Sequence, residues 1–298
     1  MSFHRPERAG LACLAALVAL MACDAPQIAR CTNADGRLSP EFVIASCTAV
    51  IEAGRVAGVE LSSVYGNRGL AYIDRRDYDR AIADEDQAVR LDPQNAVAYN
   101  NRGYAYYGRG DSGRAIADYD RAIRLDPRLV SAYDNRALAY GDLRDYARAI
   151  ADHDRAIRLD PRDALAYNNR GTAYFNQGDA VRAMADYDQA IRLNPRLARA
   201  YDNRGIVYDD RGDYAGAIAE LHKAIRLNPH DAASFNDRGL AYYHQGSYAR
   251  AIADFGRAIH LDPRLADAYA HRALAYERLG ERARAADDRA EAARLSHR

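Results

Sequence analysis

A 34-residue period is the feature that most constrains how this 298-residue chain folds. Prolines recur at this spacing, and each closes a near-copy of the same segment: Pro93, Pro127, Pro161, Pro195, Pro229 and Pro263. A unit of this length that forms two short helices cannot bury its apolar face alone, so neighbouring units must stack. The period therefore predicts an all-α repeat array, a shape suited to binding along a surface rather than to catalysis.

The copy over residues 96–129 shows how one unit is built. Apolar residues recur on one helical stripe, and Gly110 is suited to end this first helix. Asp111 can cap a second helix, which is expected to stop before Pro127 because proline disfavours helical geometry in the residue before it. Each unit is therefore predicted to be two antiparallel helices joined by a turn.

Two aromatic columns run through the copies and are predicted to form the core. The first is Tyr65, Tyr99, Tyr133, Tyr167, Tyr201, Phe235 and Tyr269, and the second is Tyr72, Tyr106, Tyr140, Tyr174, Tyr208, Tyr242 and Tyr276. Small residues stand between them: Gly69, Gly103, Ala137, Gly171, Gly205, Gly239 and Ala273. These small residues are expected to let the paired helices approach closely, since a bulky residue there would push them apart.

This pattern of aromatic, small, alanine and proline positions resembles the tetratricopeptide repeat family, with Tyr or Phe where the family often has Trp. The copies occupy residues 62–95, 96–129, 130–163, 164–197, 198–231, 232–265 and 266–298. The resemblance implies a right-handed superhelical solenoid of helix-turn-helix repeats. It also implies that the first helices line a concave surface that binds peptides or extended protein segments.

An arginine column and an acidic column repeat in every copy. The arginines are Arg68, Arg102, Arg136, Arg170, Arg204, Arg238 and Arg272, and the acids are Asp84, Asp118, Asp152, Asp186, Glu220, Asp254 and Asp288. Because an arginine on the core stripe must be paired, the two columns predict a structural ladder of arginine-carboxylate pairs. A basic strip for anionic ligands is the alternative interpretation of the arginines.

An amide column stands one residue before these arginines. It comprises Asn67, Asn101, Asn135, Asn169 and Asn203, and it continues as Asp237 and His271. Amides can both donate to and accept from a peptide backbone, and the column resembles the asparagine ladder of eukaryotic O-GlcNAc transferases. Local capping or contact with water is the alternative. Preceding acids such as Asp202 would favour basic segments.

The column that begins with Leu70 and the column one turn later differ from copy to copy, so they are candidates for selectivity. Tyr107, Phe175 and Tyr243 are predicted to contact the side chains of an extended partner. Leu70 and its counterparts are interpreted as packing between repeats.

The amino terminus predicts export. Arginines precede an uninterrupted apolar run that ends at Ala22, which is typical of a secretory signal peptide over residues 1–22. The residues before Cys23 resemble a bacterial lipobox, so the mature protein is expected to be a lipoprotein, anchored to the membrane at Cys23 and located in the periplasm. Ordinary cleavage nearby, with Cys23 as a plain thiol, is the alternative.

Residues 23–61 are predicted to form an N-terminal segment with a capping helix. An oxidising compartment would join Cys31 and Cys47 in a disulfide, and the alternative is two free buried thiols. Ser39 and Pro40 are typical of the start of a helix, and this helix is expected to cap the repeat array.

The balanced charge and the lack of catalytic motifs argue against several classes of function. Lys and Arg total 42 and Asp and Glu total 42, so no net basic field favours nucleic acid. The sequence contains no metal-binding motif, no cofactor motif and no catalytic constellation, so the chain is expected to be non-enzymatic. The favoured function is a scaffold that holds a protein or peptide in the bacterial cell envelope. The alternatives are an adaptor regulating envelope hydrolases or proteases, and an enzyme acting on envelope glycan.

Overall fold

The computed structural model describes residues 28–32 and 37–296, and regular structure in these residues is entirely helical. The chain divides into two compact units, Met1–Asp145 and Tyr146–Arg298. The predicted signal peptide over residues 1–22 and the predicted lipidation site Cys23 lie outside the described residues.

A short helical segment over residues 28–32 precedes the long helices of the first unit. These are α1 Pro40–Ala53, α2 Gly58–Asp74, α3 Tyr78–Leu91, α4 Ala96–Gly108, α5 Ser112–Leu125 and α6 Val130–Asp142. The second unit contains α7 Tyr146–Leu159, α8 Ala164–Asn176, α9 Ala180–Leu193, α10 Ala198–Asp210, α11 Tyr214–Leu227, α12 Ala232–His244, α13 Tyr248–Leu261, α14 Ala266–Arg278 and α15 Arg282–Ser296. Within each unit, consecutive helices pack as hairpins, and each hairpin packs on the next.

Turn chemistry sets the helix boundaries as the sequence predicts. Gly110 has φ +84°, a left-handed conformation that glycine adopts without strain, and it follows the end of α4. The backbone N–H of Arg114 donates to Asp111 Oδ1 at 3.0 Å, which caps α5. Two copies place an arginine at the same turn position, since Arg76 and Arg144 both have φ +57°. This left-handed conformation costs residues other than glycine about 1 kcal/mol or more.

The two predicted aromatic columns contribute to the core, and four of their members, Tyr72, Tyr133, Tyr140 and Tyr174, are buried. Among the described residues, the largest fully buried side chains belong to the second helices, and they include Tyr119, Tyr187, Leu221 and Phe255. Most members of the two predicted aromatic core columns are half-buried instead. Arginines lie over several of these rings, and the Arg102 guanidinium is 5.4 Å from the centre of the Tyr99 ring.

The small-residue column has the predicted role. A Cβ at Gly103 would lie 2.7 Å from the Tyr119 ring and 3.1 Å from the carbonyl oxygen of Ala115. The same arrangement recurs at Gly171, where a Cβ would lie 2.8 Å from the Tyr187 ring. The fully buried ring of each second helix therefore occupies the space that the glycine of the first helix leaves open.

The N-terminal segment forms the helix that the sequence predicts. Ser39 caps α1 by accepting from the backbone N–H of Phe42, and Pro40 is its first residue. Buried residues of α1, Val43 among them, pack on α2. The sulfur atoms of Cys31 and Cys47 lie at bonding distance, 2.13 Å, and both residues are fully buried. No helix in the described ranges combines the length and the apolar character that a membrane crossing requires.

Candidate functional site

The predicted binding residues lie on the first helix of each hairpin. Asn67, Asn101 and Asn135 belong to α2, α4 and α6 of the first unit, whereas Asn169, Asn203 and Asp237 belong to α8, α10 and α12 of the second. Asn101 is buried and the other five are partly exposed.

The amides bond to one another across neighbouring repeats. Asn135 Nδ2 donates to Asn100 Oδ1 at 3.1 Å, and in the second unit Asn203 Nδ2 donates to Asn168 Oδ1 at 3.0 Å. His271 Nδ1 lies 2.9 Å from Asn236 Oδ1 in the same relation, 35 residues apart. We call these contacts amide rungs. They use part of the hydrogen-bonding capacity of each amide to join repeats.

One rung position is occupied by two acids instead of two amides. Asp202 and Asp237 stand where Asn168 and Asn203 form the neighbouring rung. Burial raises the pKa of Asp202 to about 6, and Asp202 Oδ1 is buried without a hydrogen-bond partner. Burial, and then the charge of Asp202, raise the pKa of Asp237 to about 7. Asp231 adds to both shifts, and Asp209 adds to that of Asp237. Both carboxyl groups therefore lose their protons at a higher pH than an ordinary aspartate does.

The acidic rung makes stability depend on pH. Both folded-state pKa values lie above the unfolded value of about 4, so the stabilising contribution of the protonated pair is complete below pH ~4 and is lost as the pH rises through 6 to 7. We expect Asp237→Asn to be more stable than the unsubstituted protein at pH 8 by about 1–3 kcal/mol, because an amide can donate to the Asp202 carboxylate. The gain should shrink at pH 5, as measured by urea denaturation.

Asp210→Asn serves as the control for this prediction. Asp210 is exposed and lies on α10, the helix that also carries Asp202. Its replacement should change stability by less than about 0.5 kcal/mol at either pH. An Asp237→Asn gain of the same size at pH 5 and pH 8 would contradict the assignment of raised pKa values to this pair.

Sequence analysis missed Glu85, which stands in the buried column of Tyr119, Tyr187 and Phe255. Its side chain is fully buried on α3, and neither carboxylate oxygen makes a hydrogen bond within the described residues. Burial raises its pKa well above the usual range, and the amide of Asn101 acts in the opposite direction. An alignment of this column across the copies would have identified Glu85, because an acid stands there where other copies have aromatic or aliphatic residues.

In the first unit, the column that begins with Leu70 is more exposed than expected. Leu70 and Tyr104 are each 42% exposed and Leu138 is 38% exposed, although packing between repeats was expected for this column. Tyr107 is partly buried, and its pKa is raised to about 12 by burial and by the carboxylate of Asp142. The predicted contact of Tyr107 with a partner remains a prediction.

In the second unit, the two aromatic candidates are partly packed. Phe175 contacts the buried cluster that contains Tyr187 and Val207. The Tyr243 ring centre lies 5.5 Å from that of Tyr248 and 6.0 Å from the Arg278 guanidinium. Both residues therefore stabilise the fold, and their predicted contact with a partner remains a prediction.

The arginine-carboxylate pairs form in the predicted register. Arg102 Nε and Nη2 donate to Asp118 at 2.8 and 2.6 Å, and Arg170 donates to Asp186 with the same two distances. Pairs also join Arg68 to Asp84, Arg204 to Glu220, Arg238 to Asp254 and Arg272 to Asp288. Arg136 and Asp152 belong to different units. The six pairs are structural, which leaves little of a basic strip for anionic ligands.

The described residues, 28–32 and 37–296, offer few other candidates for a metal or ligand site. No group of three or more His, Cys, Asp or Glu side chains is arranged to hold a metal ion in this part of the chain. A cavity of about 190 Å³ lies between α1 and α2, and its lining includes Asn67, Leu70 and Asp74. The predicted binding residue Asn67 and the exposed Leu70 therefore line the same cavity.

Comparisons with known proteins agree with this geometry. A tetratricopeptide repeat model matches residues 67–129, 135–198 and 203–266, and a second one matches residues 171–234. No curated protein sequence matches the chain.

Solved structures show the same fold. A chain of the APC/C hetero-tetramer Cut9-Hcn1 is 20% identical with a TM-score of 0.69, covering 86% of this chain and 50% of that chain. This chain thus spans about half the length of that structure. A tetratricopeptide repeat protein from Parabacteroides merdae is 23% identical with a TM-score of 0.65, covering 78% and 93%. Pseudomonas aeruginosa pilF is 22% identical with a TM-score of 0.57, covering 65% and 88%. These similarities confirm the all-α class of stacked helix-turn-helix repeats.

Proposed function

Because the chain belongs to the tetratricopeptide repeat family, we propose that it is a non-catalytic scaffold that binds an extended protein or peptide segment along its first helices. In the first unit, the surface we propose consists of three amides and three apolar residues. They are Asn67, Leu70, Asn101, Tyr104, Asn135 and Leu138, and we call them the first-helix strip. One chain of the Cut9-Hcn1 hetero-tetramer shares the fold, which supports a role in protein association.

The exposed apolar column carries this proposal. Leu70, Tyr104 and Leu138 stand in register on three successive first helices, each between 38% and 42% exposed. Each follows an amide by three residues, so a polar and an apolar group lie side by side in every copy. The partly exposed amides of Asn67 and Asn135 can accept from a partner's backbone, while the apolar groups cover its side chains. This combination suits an extended segment of mixed polarity.

Replacing the apolar part of the strip tests the function. The double variant Tyr104→Ser plus Leu138→Ser should lose at least tenfold in recovery of crosslinked partners from the native envelope, because two apolar contacts are removed. Val181→Ser is the matched control, since Val181 is 74% exposed on α9, outside the strip. Equal recovery by the folded double variant and the control would reject this surface.

We further propose that the scaffold acts in the bacterial envelope as a lipoprotein anchored at Cys23. The apolar run up to Ala22 and the lipobox-like residues before Cys23 support this location. A fatty-acid probe should label the full chain in cells, and Cys23→Ser should abolish the label. Label that persists in Cys23→Ser would contradict the anchor and leave the scaffold proposal intact.

A further inference from the structure

In six of the seven repeated arginines, the Nη1 atom has a partner besides the acid of its own repeat. In four copies this partner is an aspartate, at 2.5 to 2.8 Å. The aspartate pairs are Arg102 with Asp86, Arg136 with Asp120, Arg170 with Asp154 and Arg204 with Asp188. Arg68 Nη1 donates to Thr48 Oγ1 at 2.9 Å, and Arg238 Nη1 lies 3.3 Å from His222 Nδ1. The array therefore surrounds these guanidiniums with two acceptors each.

Arg272 is the exception among the described residues. Its Nε and Nη2 atoms donate to Asp288, both at 2.7 Å, while Nη1 contacts no acceptor in the ranges that the structure describes. The position 16 residues before it, which holds aspartate in four copies, is Gly256. A Cβ built on Gly256 would lie 3.7 Å from Arg272 Nη1. The backbone of α13 therefore comes close to Nη1, but Gly256 has no carboxylate that could reach it.

The empty position faces solvent. The four equivalent aspartates are between 35% and 45% exposed, whereas the Arg272 side chain is 21% exposed. Arg257 and His260 are exposed on α13, beside Gly256 and one turn after it. Arg257 adds a positive charge there, and the rings of Tyr269 and Tyr276 flank the Arg272 guanidinium. An anion can therefore approach Nη1 from water without displacing a protein group.

We propose that Arg272 Nη1 and the space left at Gly256 form a binding site for a single carboxylate group. The ligand takes the place that aspartate side chains take in four other copies, with one oxygen accepting from Nη1. A carboxylate suits the site because aspartate is the group these equivalent positions hold, and the space corresponds to one short acidic side chain. The site lies between α13 and α14 and does not depend on the first-helix strip.

Acetate is the probe that tests this site. The full ¹⁵N-labelled chain is titrated with sodium acetate against sodium chloride at constant ionic strength and pH 7.5. The amide signal of Gly256 and the Nε–H signal of Arg272 should shift in a saturable way. Gly256→Ala keeps the space open, since its Cβ is at ordinary contact distance, so the response should persist. Gly256→Asp supplies its own carboxylate and should reduce the response at least fivefold.

Two further arms complete the experiment. Asp188→Gly opens an equivalent space at Arg204, so acetate should newly shift the Arg204 Nε–H signal. A blocked Gly-Asp-Gly peptide that binds at lower concentration than acetate assigns the carboxylate to a protein partner, whereas equal binding assigns it to small free carboxylates, and either result supports the site. No saturable shift in the unsubstituted chain, an undiminished shift in Gly256→Asp, or a response to inorganic phosphate at least as large would overturn the proposal.

Discussion

Replacing Glu85 by leucine is expected to stabilise the protein by about 2–4 kcal/mol at pH 8, because a buried carboxyl group without a hydrogen bond costs several kcal/mol. Leu221 shows that leucine fits this column, where it is fully buried against Gly205. The folded-state pKa of Glu85 is raised, so the stability that its protonated form contributes is complete below the unfolded pKa of about 4.3 and is lost as the pH rises through the folded pKa. The gain from Glu85→Leu should therefore be smaller at pH 5 than at pH 8.

Urea denaturation at the two pH values measures this difference. Glu85→Gln is the matched control, because it removes the charge and keeps the shape and most of the polarity. It should stabilise at pH 8 by less than Glu85→Leu does. A loss of stability in Glu85→Leu at pH 8 would mean that the carboxylate has a compensating partner in solution, such as a bound water or cation.

Replacing Asp118 by alanine is expected to destabilise the protein by about 3–5 kcal/mol, since it leaves a half-buried guanidinium without its main acceptor. Asp118 is 7% exposed and accepts two short hydrogen bonds from Arg102. The remaining partner of Arg102 is Asp86, whose side chain is 44% exposed and which accepts only one bond. Thermal and urea denaturation with circular dichroism detection would measure the loss.

Asp86→Ala is the control because it removes the other acid from the same arginine. An exposed ion pair contributes about 0–1 kcal/mol, so this variant should lose far less stability than Asp118→Ala. The double variant Arg102→Leu plus Asp118→Leu should recover much of the loss, as apolar replacements of buried ion pairs do. Equal costs for Asp118→Ala and Asp86→Ala would show that the two acids contribute alike and would reject the ladder as the main source of stability.

The hairpins and their pairing were predictable because they depend on local rules. Gly110 and Asp111 encode a turn and a cap within a few residues, and the 34-residue period reveals which positions are equivalent. The arginine-carboxylate pairs were predictable as well, because opposite charges recur in every copy and a half-buried arginine requires an acceptor. The amide column was located correctly on the first helices, but its use in rungs between repeats was not foreseen.

The sequence by itself determined the repeat, the helix boundaries and the charge pairs, since these follow from spacing along one or two adjacent helices. Tertiary structure alone decided which columns are exposed, because each helix buries part of its surface against its hairpin partner and against the neighbouring hairpins. It buried Glu85, exposed Tyr104 and left Arg272 Nη1 without an acceptor in the described residues. Each of these outcomes depends on contacts between helices that the spacing of residues along a single helix does not specify.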